Sequence, residues 1–251
     1  MKTLLAKELR EGWRTWRIIV LGIVLAVAGL ASPVLAYYMP QLFRLIPDLP
    51  AGLAEVIPQP AMVDAVAQYV KNVSQFGLLL LVVLTAGVIA AEKERGTAAM
   101  LFVRPVSRTN AVLAKWLVWA GALLVSVVVS GVLAFAYTAF LFDLPPTAAF
   151  LALNGLLLLS FLPYLSLSLL GSVIARTQGA AYGYATIAMF LLIILGGLPR
   201  IGDFTPAYLP TWGTALMFEQ PASGVPALII SLALTAGALV AACVLLERQE
   251  L

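Results

Sequence analysis

The 251 residues are 62% apolar and 11% charged, with a net charge of +3. A soluble domain is nearer half apolar and a quarter charged, so a water-soluble globule and a disordered chain are both excluded, and the chain reads as a membrane protein. Histidine is absent and Cys243 is the single cysteine, which removes His-ligated haem, HExxH metal sites, Ser–His or Cys–His nucleophiles and an internal disulfide.

Residues 1–17 are predicted to form an amphipathic helix lying on the membrane surface. At about 100° per residue, Leu5, Leu9, Trp13 and Trp16 fall within about 80° of one another. Lys7, Arg10, Arg14 and Arg17 gather on the opposite side, a distribution that suits an interfacial helix in contact with lipid. Six apolar runs follow, at 18–38, 73–91, 111–142, 147–175, 180–198 and 225–246, each of bilayer-spanning length. The first is read as a retained span and not as a signal peptide cleaved after Ala36, because Glu8 and Glu11 precede it and its apolar run is too long. The fold class is therefore all-α, a single polytopic transmembrane domain over 1–251.

Pro47, Pro50, Pro58 and Pro60 break up the connection after the first span. From Met62, the apolar residues Met62, Val63, Val66, Tyr69, Val70 and Val73 follow helical spacing, which predicts a helix continuing into the second span. The third and fourth spans exceed the bilayer requirement, and Pro163 is the expected kink in the fourth. Residues 199–224 carry Pro206, Pro210 and Pro221 with Trp212, Met217 and Phe218, too apolar for a plain solvated loop. A re-entrant turn and an interface-packed loop both fit them. Twelve of the 15 Lys and Arg residues flank one side of these spans, leaving Arg44, Lys71 and Arg200 on the other, so both termini are expected in the cytoplasm. The basic residues flank spans and do not alternate with exposed aromatics, so no nucleic-acid partner is expected.

Between the second and third spans, Glu92, Lys93, Glu94 and Arg95 end the apolar run. Gly96 can take a positive φ and Thr97 suits an N-cap, which predicts a helix of under two turns over 98–103 that Pro105 cannot continue. Ser107 or Thr109 can cap the third span. Met100, Leu101, Phe102 and Val103 cannot all bury against so short a helix. The pattern leaves open whether they enter a partner's groove or dip back into the interface.

The run Glu92-x-Glu94-x-Gly96-Thr97, followed by Arg104-Pro105-Val106-Ser107-Arg108 and Lys115, resembles the cytoplasmic coupling segment of ABC-2 type transporter permeases. The basic N-terminal helix and six spans extend the resemblance over nearly the whole chain. It implies that the short helix within 92–108 is a coupling helix docking on a separate ATPase subunit. Glu92, Glu94, Gly96, Thr97, Met100, Leu101, Phe102, Arg104, Pro105 and Arg108 would form the coupling set. It further implies two ATPase copies and a second permease copy, either identical or a sister chain. The first and fifth spans would make the subunit contact, the second and fifth would line the path, and the assembly would sit in the cell membrane.

The chemistry the chain lacks agrees. It has no G-x-x-x-x-G-K-[ST] loop, and the five residues after the last span are expected to leave ATP and Mg to a partner. This chain itself is expected to hold no cofactor or metal and to catalyse nothing. No Asp, Glu, Lys or Arg lies well inside a span, so energy is expected to enter from outside the bilayer. Intramembrane polarity is confined to hydroxyls such as Thr85, Ser168 and Ser172 and one amide, Asn154, read mainly as helix–helix bonds. Gly179 with Gly183, and Ala233 with Gly237 and Ala241, have the small-residue spacing of close helix contacts. The leading expectation is the permease subunit of an ATP-driven exporter. A pore or membrane scaffold is the alternative, and a membrane-embedded enzyme is disfavoured by the missing histidine and buried carboxylates.

Overall fold

The computed structural model describes residues 1–44, 59–96 and 107–249. α1 (Lys2–Arg14) ends in a corner at Trp16, whose φ of 62° is left-handed, and the chain turns there into α2 (Arg17–Arg44). α3 (Met62–Thr85) and the short α4 (Ala90–Glu94) follow, separated by turns at 86–89. α5 (Arg108–Leu141), α6 (Thr147–Ile174) and α7 (Gln178–Gly197) come next. A 3₁₀ turn at Gly202–Phe204 leads to α8 (Tyr208–Met217), and α9 (Val225–Arg248) ends the bundle. No strand occurs among the described residues, and six stretches are long and apolar enough to cross a membrane. The all-α, six-span expectation holds. The predicted helix at 98–103 lies outside the described residues.

Local chemistry accounts for several boundaries. Asp64 Oδ2 accepts the Ala61 N–H at 2.9 Å, so α3 begins well before the apolar run, as the spacing from Met62 predicts. Ser107 Oγ accepts the Asn110 N–H at 3.2 Å and Thr177 Oγ1 accepts the Ala180 N–H at 3.3 Å, capping α5 and α7. α2 runs past its expected end, with Pro33 and Pro40 both inside the helix, and α6 is likewise continuous through Pro163. Neighbouring helices make such prolines tolerable in spans.

α6 forms the centre: 67% of its apolar window is buried, against 17% for α7 and 22% for α9, which are therefore peripheral. α2 approaches α5 closely at Gly29, where an added Cβ would lie 2.3 Å from the Ser130 carbonyl oxygen. The connection at 199–224 is neither a bare loop nor a simple turn. α8 packs its Leu209, Pro210, Gly213 and Met217 face inward, and an added Cβ at Gly213 would meet Leu153 Cδ1 at 2.7 Å. Leu153 and Leu156 lie six and nine residues into α6, about 9–14 Å along its axis, so α8 folds back alongside the span. Gly179, Gly183 and Gly237 meet nothing within 4 Å if given a Cβ, so these small-residue positions face outward and mark no contact within the chain. Side-chain bonds join residues 7–8, 92–94, 108, 115, 173, 178 and 246–249 at one end of the bundle, which brings both ends of the described chain to the same side.

Candidate functional site

α3 does not continue into α4 because its backbone finds a partner elsewhere. The Ile89 and Ala90 N–H groups both donate to Ser172 Oγ on α6, at 3.0 Å each, while Thr85 Oγ1 lies 2.8 Å from Ser168 Oγ. This break sets the angle at which α4 leaves the bundle, and α4 ends in three consecutive charged residues with three destinations.

Glu92 turns to the N-terminal helix and to α5. Its Oε1 accepts from Lys7 Nζ at 2.7 Å and from Lys115 Nζ at 2.9 Å. Lys115, only 2% exposed, also donates to both oxygens of the buried Glu8 at 2.9 Å. Lys7 reaches Glu8 at 3.0 Å and Glu11 at 3.6 Å. Burial pulls the Lys7 ammonium down, but the hydrogen bond and charge of Glu92, with those of Glu8, outweigh it and hold its pKa above the ordinary lysine value. Lys93 turns to the far ends of α6 and α9, donating to the Val173 carbonyl and, at 2.6 Å, to Gln249 Oε1. Gln249 Nε2 closes the triangle by donating to the same Val173 carbonyl at 2.9 Å. Glu94 turns to α7, where its Oε2 accepts the Gln178 N–H at 3.0 Å. A carboxylate at a helix N-terminus satisfies an orphan donor and complements the helix dipole.

The carboxylates of Glu8, Glu11 and Glu92 come within 4.8 Å of one another, a spacing that could hold a metal ion. The ammonium groups of Lys7 and Lys115 already stand among them and take the hydrogen bonds a cation would seek, so the cluster is an ion-pair network and its donor set does not fit a metal.

A family model described as ABC-2 family transporter protein matches residues 2–251. The chain belongs to the ABC-2 transporter family. It is 30% identical over 181 residues to the uncharacterized transmembrane protein YxlG of Bacillus subtilis (strain 168), covering 72% of this chain and 70% of that one. As an ABC-2 protein, it is the membrane component of an ABC transporter, and the family implies an ATPase partner.

Within this ABC-2 permease, the residues expected to form the coupling set divide into two groups. Thr97, Met100, Leu101, Phe102, Arg104 and Pro105 lie outside the described residues. Glu92 and Glu94 face the permease's own helices, and Gly96 takes the positive φ expected of it, at 69°. Arg108 donates to the Leu246 carbonyl at 3.1 Å and to those of Glu247 and Gln249. A cation on the last carbonyls of a helix complements the negative end of its dipole. The sequence reading did not single out Lys7, Glu8, Lys93, Ser172, Gln178 or Gln249 as site residues. The signal available was Glu8 and Glu11, two acids on an otherwise basic helix.

Proposed function

We propose that this permease is the membrane subunit of an ATP-driven exporter, and that residues 97–106 take up force from a separate ATPase subunit. One observation carries the reading: Glu92, Lys93 and Glu94, at the entrance to that segment, bind α1 and α5, α6 and α9, and α7 respectively. Arg108, at its exit, binds the end of α9. A displacement of the segment would reach the ends of nearly every span through short, charge-assisted bonds. The distribution of Lys and Arg supports a cytoplasmic position for this end and for both termini. With no phosphate-binding loop in this sequence, ATP and Mg belong to the ATPase, in two copies against a permease homodimer.

The test is co-purification of the ATPase with wild-type permease and with Leu101→Asp/Phe102→Asp at equal membrane levels. Burying such side chains in a partner groove contributes roughly 1.5–3 kcal/mol each, so the double variant should lose the ATPase while remaining inserted. Equal recovery from both would reject this segment as the docking contact.

A further inference from the structure

Fourteen residues separate Lys93 from Arg108 along the chain, but through space a single residue bridges them. Gln249 follows the last turn of α9 with an extended φ and ψ of −79° and 131°, so its backbone leaves the helical path. Its carbonyl accepts from Arg108 at the start of α5, beside the carbonyls of Leu246 at 3.1 Å and Glu247 at 3.3 Å. Its side-chain Oε1 accepts from Lys93 Nζ on α4 at 2.6 Å, and its Nε2 donates to the Val173 carbonyl at 2.9 Å. A primary amide suits this place because it accepts and donates through separate atoms. A carboxylate lacks the donor and an ammonium lacks the acceptor.

A second tie between α4 and α5 lies deeper in the bundle. Glu92 Oε1 accepts from Lys115, seven residues beyond Arg108 and so about 10 Å further along α5. One tie between two helices leaves them free to pivot about it. A second, set off along the axis, fixes the angle between them. The buried Glu92–Lys115 pair is the pivot, and the Lys93–Gln249–Arg108 bridge is the brace at the mouth. Glu94 holds α4 to Gln178 of α7 and not to α5.

We infer that Gln249 is a positioning residue, which fixes the angle between α4 and the start of α5, the two roots of residues 97–106. The end of α9 then acts as a clasp on the coupling segment. The inference rests on the reading that this segment takes up force from an ATPase. Without the clasp the ATPase still docks, but its stroke is spent in pivoting α4 about Glu92.

The test uses full-length permease in nanodiscs, carrying spin labels at Arg95→Cys and Asn110→Cys in a Cys243→Ala background. The distance distribution between the labels is read by electron paramagnetic resonance, with no ATPase present. In Gln249→Ala the wild-type separation should lose roughly ten-fold in population, the effect of one lost bond to a charged group. Lys93→Met should do the same, and the two changes together should add nothing further. Gln249→Glu keeps an acceptor for Lys93 while losing the donor for Val173, and it should restore the wild-type distribution. With the ATPase added, Gln249→Ala should retain it on co-purification but lose most permease-dependent ATP hydrolysis, and Gln249→Glu should recover that activity. An unchanged distribution in Gln249→Ala, or one that Gln249→Glu does not restore, would overturn the inference. So would a broadened distribution with full ATP hydrolysis, since the clasp would then play no part in coupling. Failure of the underlying reading shows differently: Leu101→Asp/Phe102→Asp would keep the ATPase whatever the labels report.

Discussion

Truncating Lys115 to alanine would leave Glu8, 7% exposed, without its main counter-charge and would weaken the hold on Glu92. Breaking a buried pair in this way costs about 3–5 kcal/mol, whereas replacing both members by apolar residues of similar volume is often close to neutral. Lys115→Ala should therefore lower the unfolding temperature of the purified permease strongly. Lys115→Met with Glu8→Leu should recover most of the loss, since Lys7 still balances Glu92. Thermal unfolding of the wild type and these two variants in one detergent measures both effects. Each residue of the network was visible in the sequence as a charge flanking a span. Their meeting was not, because Glu8 and Lys115 are 107 positions apart and periodicity reports only which face of its own helix a residue occupies.

At the scale of the helix, the break between α3 and α4 depends on one hydroxyl. Ser172→Ala would strand two buried N–H groups, those of Ile89 and Ala90, and an unsatisfied buried donor costs about 1–3 kcal/mol. The expected outcomes are a lower unfolding temperature and faster amide exchange confined to residues 86–91, read by exchange mass spectrometry. Uniform exchange rates over α3 and α4 in the variant would mean that the break is set by other contacts. The start of α3 could be read from the sequence because Asp64 and the apolar spacing from Met62 are local signals. The break could not, because 76–91 is an unbroken apolar run and Ser172 lies more than 80 positions away. α8 was legible only as anomalous composition. Its course along α6 follows from the close fit of Gly213 on Leu153, which no local pattern announces.

At the scale of the molecule, the number of spans and the convergence of the chain ends followed from apolar length and from where Lys and Arg fall, since a bilayer constrains both directly. How the helices pack side by side did not, because lipid and protein faces are equally apolar here. The thin burial of α7, with Gly179 and Gly183 open on its outer side, suits the contact with a second copy expected of the fifth span. In a Cys243→Ala background, Gly183→Cys should form a disulfide-linked dimer in oxidised membranes, and Val240→Cys on the exposed side of α9 should not. Linkage at neither position, with differently tagged copies failing to retrieve each other, would reject the homodimer. The distribution of polar bonds also dictates how such a bundle can deform. The ends near Glu92, Lys93 and Glu94 are riveted together by charge-assisted bonds, while the opposite half is joined by the Tyr69–Asn154 and Asn72–Ser32 bonds and by apolar packing. The 28 residues of α6 form a rod about 42 Å long, and rocking it about its riveted end by roughly a tenth of a radian sweeps the far end through about 4 Å. The molecule is built as a fan, in which a small turn at the handle becomes a wide parting of the ribs.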